Sequence, residues 1–265
     1  MAYYTKIDWC DTSWNPVTGC YHDCKYCYAR RIAERFGGYS RNESDMRVKY
    51  ISDNGTYELC RPLMRSNGDG KSRQAAYPFG FAPTLHRYRL ELPKRWTNPR
   101  TIFVGSMADL FGEWVPDEWI EEVFKACEAA PQHRYLFLTK NPKRYLQLIE
   151  SGVIPKNQPN IWLGSTVTKP DTEFFYADCA NTFVSIEPML ARFNGALSCL
   201  TNWVIVGAET GSRKEKVVPQ KAWIDDIAAV CKDAGVPLFM KDSLRDLMGE
   251  DFRQEFPWEV ARQNG

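Results

Sequence analysis

Residues 101–139 read TIFVGSMADLFGEWVPDEWIEEVFKACEAAPQHRYLFLT. The stretch begins and ends on short apolar runs, Thr101-Ile102-Phe103-Val104 and Tyr135-Leu136-Phe137-Leu138. Small or polar residues follow each run: Gly105-Ser106 after the first, Thr139-Lys140 after the second. Runs this short, and apolar almost throughout, suit strands buried on both faces, as in a parallel sheet. Between them, Trp119, Ile120, Val123, Phe124 and Cys127 recur at helical spacing within Asp117 to Ala130, and Pro116 stands where a helix start accepts it. The unit is strand, helix, strand.

The same rhythm continues toward the C-terminus. Ile161-Trp162-Leu163 runs into Gly164-Ser165-Thr166, and Phe183-Val184-Ser185 into Ile186-Glu187-Pro188. Trp203-Val204-Ile205-Val206 runs into Gly207-Ala208-Glu209, and Pro237-Leu238-Phe239-Met240 into Lys241-Asp242. Further helices are expected over Asn141–Ser151, stopped by Gly152, and over Ala222–Ala234, stopped by Gly235. Six strands alternating with helices, plus a short strand before Cys20, predict an α/β fold: a partial (β/α) barrel of about six parallel strands. Every strand end carries a polar or small residue, as expected when all the ends face one site. No GxGxxG follows any strand, which weighs against an open dinucleotide-binding sheet.

Residues 38–98 break the rhythm. They are polar, rich in Gly, Asn, Ser and Arg, and weakly periodic, so they are expected to form an inserted lid-like loop region over the barrel mouth within a single domain, 1–265. A disordered surface excursion is the alternative. Lys plus Arg number 34 and Asp plus Glu 33, which weighs against a broad nucleic-acid-binding face. The opening MAYYTKIDWCDTSWNP has no basic-then-apolar signal, and no apolar run approaches the ~20 residues that span a bilayer. A soluble, cytoplasmic protein with no membrane partner is expected.

Cysteine usage points to chemistry. Six of the nine cysteines (Cys10, Cys60, Cys127, Cys179, Cys199, Cys231) are scattered and read as reduced thiols. The other three cluster in Gly19-Cys20-Tyr21-His22-Asp23-Cys24-Lys25-Tyr26-Cys27, ahead of a helical Tyr28–Phe36 ended by Gly37-Gly38. Three thiolates are one short of a closed tetrahedral zinc site, for which His22 is the nearby fourth ligand. A 4Fe–4S cluster on three cysteines leaves one iron open for an outside ligand. Coincidental buried thiols are a third reading. The histidines His22, His86 and His133 form no spaced ligand pair and are expected at the surface or at caps.

The spacing Cys20-x3-Cys24-x2-Cys27, with aromatic Tyr26 before the third cysteine, resembles the radical S-adenosyl-L-methionine (SAM) signature. Asp8-Trp9, Thr12-x-Trp14-Asn15-Pro16, Phe103-Val104-x-Ser106-Met107-x-Asp109-Leu110-Phe111, Leu138-Thr139-Lys140, Trp162-Leu163-Gly164, Glu187-Pro188 and Trp203-Val204-Ile205-Val206-Gly207-x-Glu209 further resemble the radical-SAM-like phage-protein family, which includes a queuine lyase. The resemblance runs over nearly the whole chain, with 38–82 its most divergent part. It implies a partial barrel, a 4Fe–4S cluster on Cys20, Cys24 and Cys27, bound SAM, and a 5′-deoxyadenosyl radical that abstracts a substrate hydrogen. It also implies an electron donor such as flavodoxin or ferredoxin. The implied reaction cleaves queuine to 7-aminomethyl-7-deazaguanine, in queuosine salvage.

On that footing the SAM contacts expected are Tyr26, Ser106, Asp109, Thr139, Lys140, Ser165 and Thr166, with Tyr26 beside the adenine and Lys140 on the carboxylate. Asp109 equally suits a turn cap, Lys140 a solvated position, and Ser165 and Thr166 ordinary strand-end bonds. Substrate contacts expected are Asn15, Trp14, Glu187, Glu209 and Lys241. A strand-end carboxylate such as Glu187 or Glu209 can accept two hydrogen bonds from a guanine-like base, or pair with an arginine of the lid. Trp14, Trp162 and Tyr135 can stack on a planar base, the last two also suiting a core. Two other readings stay open. One is radical SAM chemistry on a base in DNA or RNA, served by Arg41, Arg47, Lys49, Arg61, Arg65, Lys71 and Arg73. The other is a non-catalytic zinc module.

Overall fold

The computed structural model describes residues 5–38, 48–50, 55–66, 71–194, 201–211 and 213–263. The first part of the chain holds β1 (Thr12–Trp14), β2 (Val17–Thr18), α1 (Tyr28–Phe36), β3 (Val48–Tyr50), β4 (Tyr57–Leu59), β5 (Met64–Ser66), β6 (Ser72–Gln74) and β7 (Thr84–His86). Then come β8 (Thr101–Val104), α2 (Asp117–Glu128), β9 (Arg134–Thr139), α3 (Lys143–Glu150), β10 (Ile161–Thr166) and β11 (Asn181–Ile186). The last part holds β12 (Val204–Val206), α4 (Lys221–Ala234), β13 (Leu238–Met240), α5 (Arg245–Met248) and α6 (Pro257–Gln263).

Seven strands form one sheet in the order β1-β8-β9-β10-β11-β12-β13, every neighbouring pair parallel. The order never reverses, so the sheet winds in one direction and curls into a half-barrel, without the switch point of a doubly wound sheet. The six expected strands are β8 to β13, and β1 is a seventh, ahead of Cys20. The helices expected from sequence appear as α1 to α4. No helix separates β10 from β11, where 167–180 form turns and extended chain.

Alternation along the strands sorts their side chains into two layers. On one face Ile102, Val104, Tyr135, Phe137, Ile161 and Leu163 pack with Trp119, Ile120, Val123 and Phe124 of α2 and with Tyr145, Leu148 and Ile149 of α3. Further along that face Val184, Ile186, Val204, Val206, Leu238 and Met240 pack with Ile224, Ile227 and Cys231 of α4. The other, concave face carries Phe103, Leu136, Trp162, Phe183, Ile205 and Phe239, gathered with Trp9 and Trp203 into an aromatic layer. Gly164 keeps this layer closed: a Cβ there would come 2.2 Å from the Phe183 ring.

The half-barrel's open side is crossed by the segment leading into β1. Asp11 Oδ2 accepts from Thr101 N at 2.6 Å beside β8, while Asp8 Oδ2 accepts from Asp242 N at 2.7 Å just past β13. The strap thereby reaches both ends of the sheet and lays Trp9 across the concave face. Its ring stands 4.6 Å from Phe103, 6.2 Å from Phe183 and 6.5 Å from Trp203.

The described parts of 38–98 hold more order than their polarity suggested. The strands β3, β4 and β7 join β2 in the four-stranded sheet β2-β7-β4-β3, and β5 and β6 form a hairpin. Leu59, Leu63 and Ala75 make a small core of their own, while Leu85 enters the main core. Three-residue strands are too short to show a period, which is why the sequence read as loop.

His86 and His133 sit inside rather than at the surface. His86 bridges Thr18 Oγ1 and Tyr88 OH, and burial holds its imidazole well below the usual range. His133 Nε2 lies 2.9 Å from the Pro93 carbonyl. Of the basic residues expected to serve a nucleic acid, Arg41 and Arg47 lie outside the described residues. Among the described residues no helix is long and apolar enough to cross a membrane.

Candidate functional site

Above the aromatic layer, at the C-terminal ends of the strands, lies a cavity of about 420 Å³. Trp9 and Phe103 line its base, the cysteine loop and Tyr28 one wall, and the ends of β10 to β13 the other.

The cysteine loop is held mainly by backbone. Gly19 N donates to Met107 O at 2.8 Å and Cys20 N to Phe81 O at 3.1 Å. Gly19 has φ +90°, and a Cβ there would meet Ala82 O at 2.3 Å, so only glycine fits where the loop leaves β2. Cys27 caps α1, its Sγ accepting from Arg30 N at 3.3 Å, and Cys27 N closes a turn onto Cys24 O. The Arg30 guanidinium reaches back to the His22 and Cys20 carbonyls. Cys20, Cys24 and Cys27 all line the cavity. Burial pushes the Cys20 thiol up to about 12 and raises that of Cys24, so any metal held here must displace protons.

Asp109 fastens this loop to the sheet. Its buried carboxylate takes four hydrogen bonds: Thr139 Oγ1 at 2.7 Å, Lys140 N at 2.9 Å, His22 Nε2 at 3.0 Å and Phe111 N at 3.1 Å. Burial alone would raise its pKa, but the bonds from His22, Lys140 N and Thr139 outweigh it and hold the carboxyl below the usual range. Asp109 therefore acts through its neighbours: its oxygens are filled by protein. Thr139 is likewise committed, donating to Asp109 and accepting from Asn141 N.

Lys140 is differently placed. Its Nζ stands 5.6 Å from the centroid of the Tyr26 ring, close enough to Cys24 to oppose the effect of burial on that thiol. It has no carboxylate partner among the described residues. Burial and the neighbouring Cys24 push the Tyr26 phenol up to about 12.

On the opposite wall the acidic side chains are paired. Glu187 meets Lys241 Nζ, whose stem lies across Gly207, where a Cβ would come 2.8 Å from Lys241 Cδ. Glu209 accepts from two guanidinium nitrogens of Arg213, Nε at 2.6 Å and Nη2 at 2.7 Å, and that pairing holds its carboxyl below the usual range. The arginine that meets Glu209 thus comes four residues along the chain, not from the 38–98 region. Thr166 and Ser185 also face the cavity.

Four residues expected at the site lie elsewhere or are otherwise engaged. Ser165 is one step out of phase with Gly164 and Thr166, so it points away from the cavity, and its Oγ accepts from Phe175 N at 2.9 Å. Trp14 packs in the helix-covered core, its Nε1 donating to Arg89 O at 2.8 Å. Asn15 bridges loops: its Oδ1 accepts from Met107 N at 2.8 Å and its Nδ2 lies 3.1 Å from Ser106 Oγ. Ser106 lines the cavity, but its hydroxyl is held by Asn15 and its carbonyl accepts from Tyr28 OH at 2.7 Å. Of the two stacking candidates that also suit a core, Trp162 joins the aromatic layer and Tyr135 the helix-covered face.

Residues 4–245 match the family described as "Protein of unknown function (DUF5131)". The chain belongs to that family. No curated protein matches it. Among solved structures, a cysteine-to-serine mutant of spore photoproduct lyase superposes with a TM-score of 0.48 at 10% identity, over 89% of this chain and 80% of that one.

For this family member, sequence reading missed Trp9, Phe103, Tyr28, Ser185 and the latch role of His22. A signal for Ser185 was present: it stands two residues before Glu187 on the same strand face. Asp8-Trp9 stands out in the sequence as part of the family resemblance, but its place under the cavity does not, because the strap that carries it is positioned by contacts 90 and 234 residues away.

Proposed function

We propose that this chain is a radical SAM enzyme acting on a modified nucleobase, with Cys20, Cys24 and Cys27 holding a 4Fe–4S cluster. The observation that carries the reading is the meeting of three thiols, Tyr26 and Lys140, which has no carboxylate partner among the described residues, in one cavity at the strand ends of a half-barrel. Among the described residues no three His, Cys, Asp or Glu side chains are closed around a single point, and His22 Nε2 already faces Asp109. A lone zinc needs four converging ligands. A cubane takes its thiolates on separate irons, which suits thiols spread along a wall. When bound, cluster and SAM supply a 5′-deoxyadenosyl radical that abstracts a substrate hydrogen.

The chain's own residues orient and enclose. Lys140 offers a point charge to the SAM carboxylate, Tyr26 an aromatic face to the adenine, and Thr166 a hydroxyl. Asp109 holds the strand end that carries Lys140 and, through His22, the cysteine loop. Trp9 and Phe103 close the base against water. Glu187, Glu209 and Lys241 form the wall assigned to substrate, most specifically queuine, cleaved to 7-aminomethyl-7-deazaguanine. Flavodoxin or ferredoxin would deliver the electron.

The test is anaerobic reconstitution with iron and sulfide, reduction with dithionite, and addition of SAM with and without queuine, read by mass spectrometry. Queuine-dependent 5′-deoxyadenosine with the deazaguanine product is expected. SAM cleavage indifferent to queuine would overturn the substrate; no cluster and no cleavage would overturn the enzyme.

A further inference from the structure

Two buried polar atoms on residues lining the cavity have no hydrogen-bond partner among the described residues, Ser185 Oγ and Trp9 Nε1. Ser185 is 0% exposed and Trp9 2%. Both belong to the concave face. Phe183, Ser185 and Glu187 alternate along β11 and its end, climbing from the aromatic layer toward the cavity mouth. Trp9 lies over the same layer, its ring 6.2 Å from Phe183. The Ser185 backbone is occupied, its carbonyl accepting from Val167 N at 2.9 Å, but its hydroxyl is not. Other polar side chains at these strand ends are engaged: Lys241 meets Glu187, and Ser165 Oγ accepts from Phe175 N. A hydroxyl taken out of water and left unbonded costs stability that an alanine would not.

We infer that Ser185 is a specificity-determining residue of this site, donating its hydroxyl hydrogen bond to a carbonyl oxygen of the substrate's heterocycle. This rests on the nucleobase reading above and deepens it. A guanine-like edge sets a carbonyl beside an N–H, so it asks the protein for a donor next to an acceptor. On this strand face Glu187 supplies the acceptor, and Ser185, two residues deeper, is a donor that no protein group has taken up. Their Cα atoms lie about 7 Å apart along the strand, a separation that one planar base and its hydrogen bonds span. Trp9 Nε1 gives the floor the same sign, because an indole N–H only donates. The deep end of the cavity thus offers hydrogens and calls for an acceptor. No hydrogen bond restrains the Ser185 side chain, so turning it toward a ligand breaks none.

The experiment is titration calorimetry on the anaerobically reconstituted, unreduced protein, comparing wild type with Ser185→Ala. The ligands are SAM, 7-deazaguanine and 2-amino-7-deazapurine, which is the same base without the carbonyl oxygen. The wild type is expected to bind 7-deazaguanine the more tightly of the two bases. Ser185→Ala is expected to shrink that gap about tenfold, the worth of one buried hydrogen bond, through weaker 7-deazaguanine binding. The bases also differ at N1–H, which the substitution leaves untouched, so the change between variants isolates the carbonyl. SAM affinity is expected to stay unchanged. Thermal melting of the ligand-free protein adds a readout that a structural serine would move the other way. There Ser185→Ala is expected to melt no lower than wild type, and up to about 2 °C higher. A gap unchanged in Ser185→Ala overturns the inference alone, as does a lowered melting temperature or a loss of affinity that falls on SAM instead of the base. Wild-type protein that binds SAM but neither base overturns it together with the nucleobase reading, and leaves the radical SAM reading standing.

Discussion

The cysteine loop and the β11–β12 strand ends face each other across one cavity, yet they are built in opposite ways. The loop is placed by backbone bonds from Gly19 and Cys20 and by the buried Asp109 carboxylate, and its three thiols and Tyr26 line the cavity together with Lys140 from the end of β9. At the strand ends the backbone is fixed by the sheet, and the acidic side chains Glu187 and Glu209 are each engaged in an ion pair. The lesson is that side chains near a cavity differ in availability. Committed carboxylates can shape and balance a site, whereas the opposite wall carries three thiols and Lys140, which has no carboxylate partner among the described residues.

The contrast is broken most severely at the loop. Replacing Cys24 with Ala is expected to abolish iron retention and 5′-deoxyadenosine formation, while circular dichroism and melting temperature stay near wild type. Asp109→Ala comes next: it strands His22, Thr139 and two backbone N–H groups, and is expected to cost about 3 kcal/mol in urea unfolding. Lys140→Met is expected to raise the KM for SAM by roughly tenfold with no loss of stability. Gly207→Ala is expected to push the Lys241 stem aside and raise the substrate KM several-fold, leaving the KM for SAM alone. The smallest effect sharpens the strand parity. Ser165→Ala is expected to lower stability by about 1 kcal/mol through the lost Phe175 contact, with both KM values unchanged.

Much of this architecture was legible in the sequence, because strands buried on both faces and helices with one apolar stripe leave local patterns. The runs at 101–104, 135–138 and 238–240 are strands, and Gly235 ends α4 with φ +67° as a left-handed cap. The cysteine spacing placed the loop. Local pattern could not say which alternate residue faces inward, so Ser165 and Thr166 looked equivalent and Trp14 looked available. Nor could it join Glu187 to Lys241, 54 residues apart, or Asp8 to Asp242, 234 apart. Those contacts depend on the curl of the sheet and on the strap that crosses its open side. The burial of His86 and His133 was missed for the same reason: Thr18, which meets His86, and Pro93, which meets His133, lie in other segments.

The most direct measurement of the central claim is electron paramagnetic resonance of the anaerobically reconstituted, reduced protein before and after SAM, with iron, sulfide and zinc quantified on the same sample. Four irons and four sulfides per chain, with a signal that SAM shifts and that Lys140→Met makes about tenfold harder to shift, is the expected result. Stoichiometric zinc with no iron signal, or an iron signal that SAM leaves untouched, would contradict it.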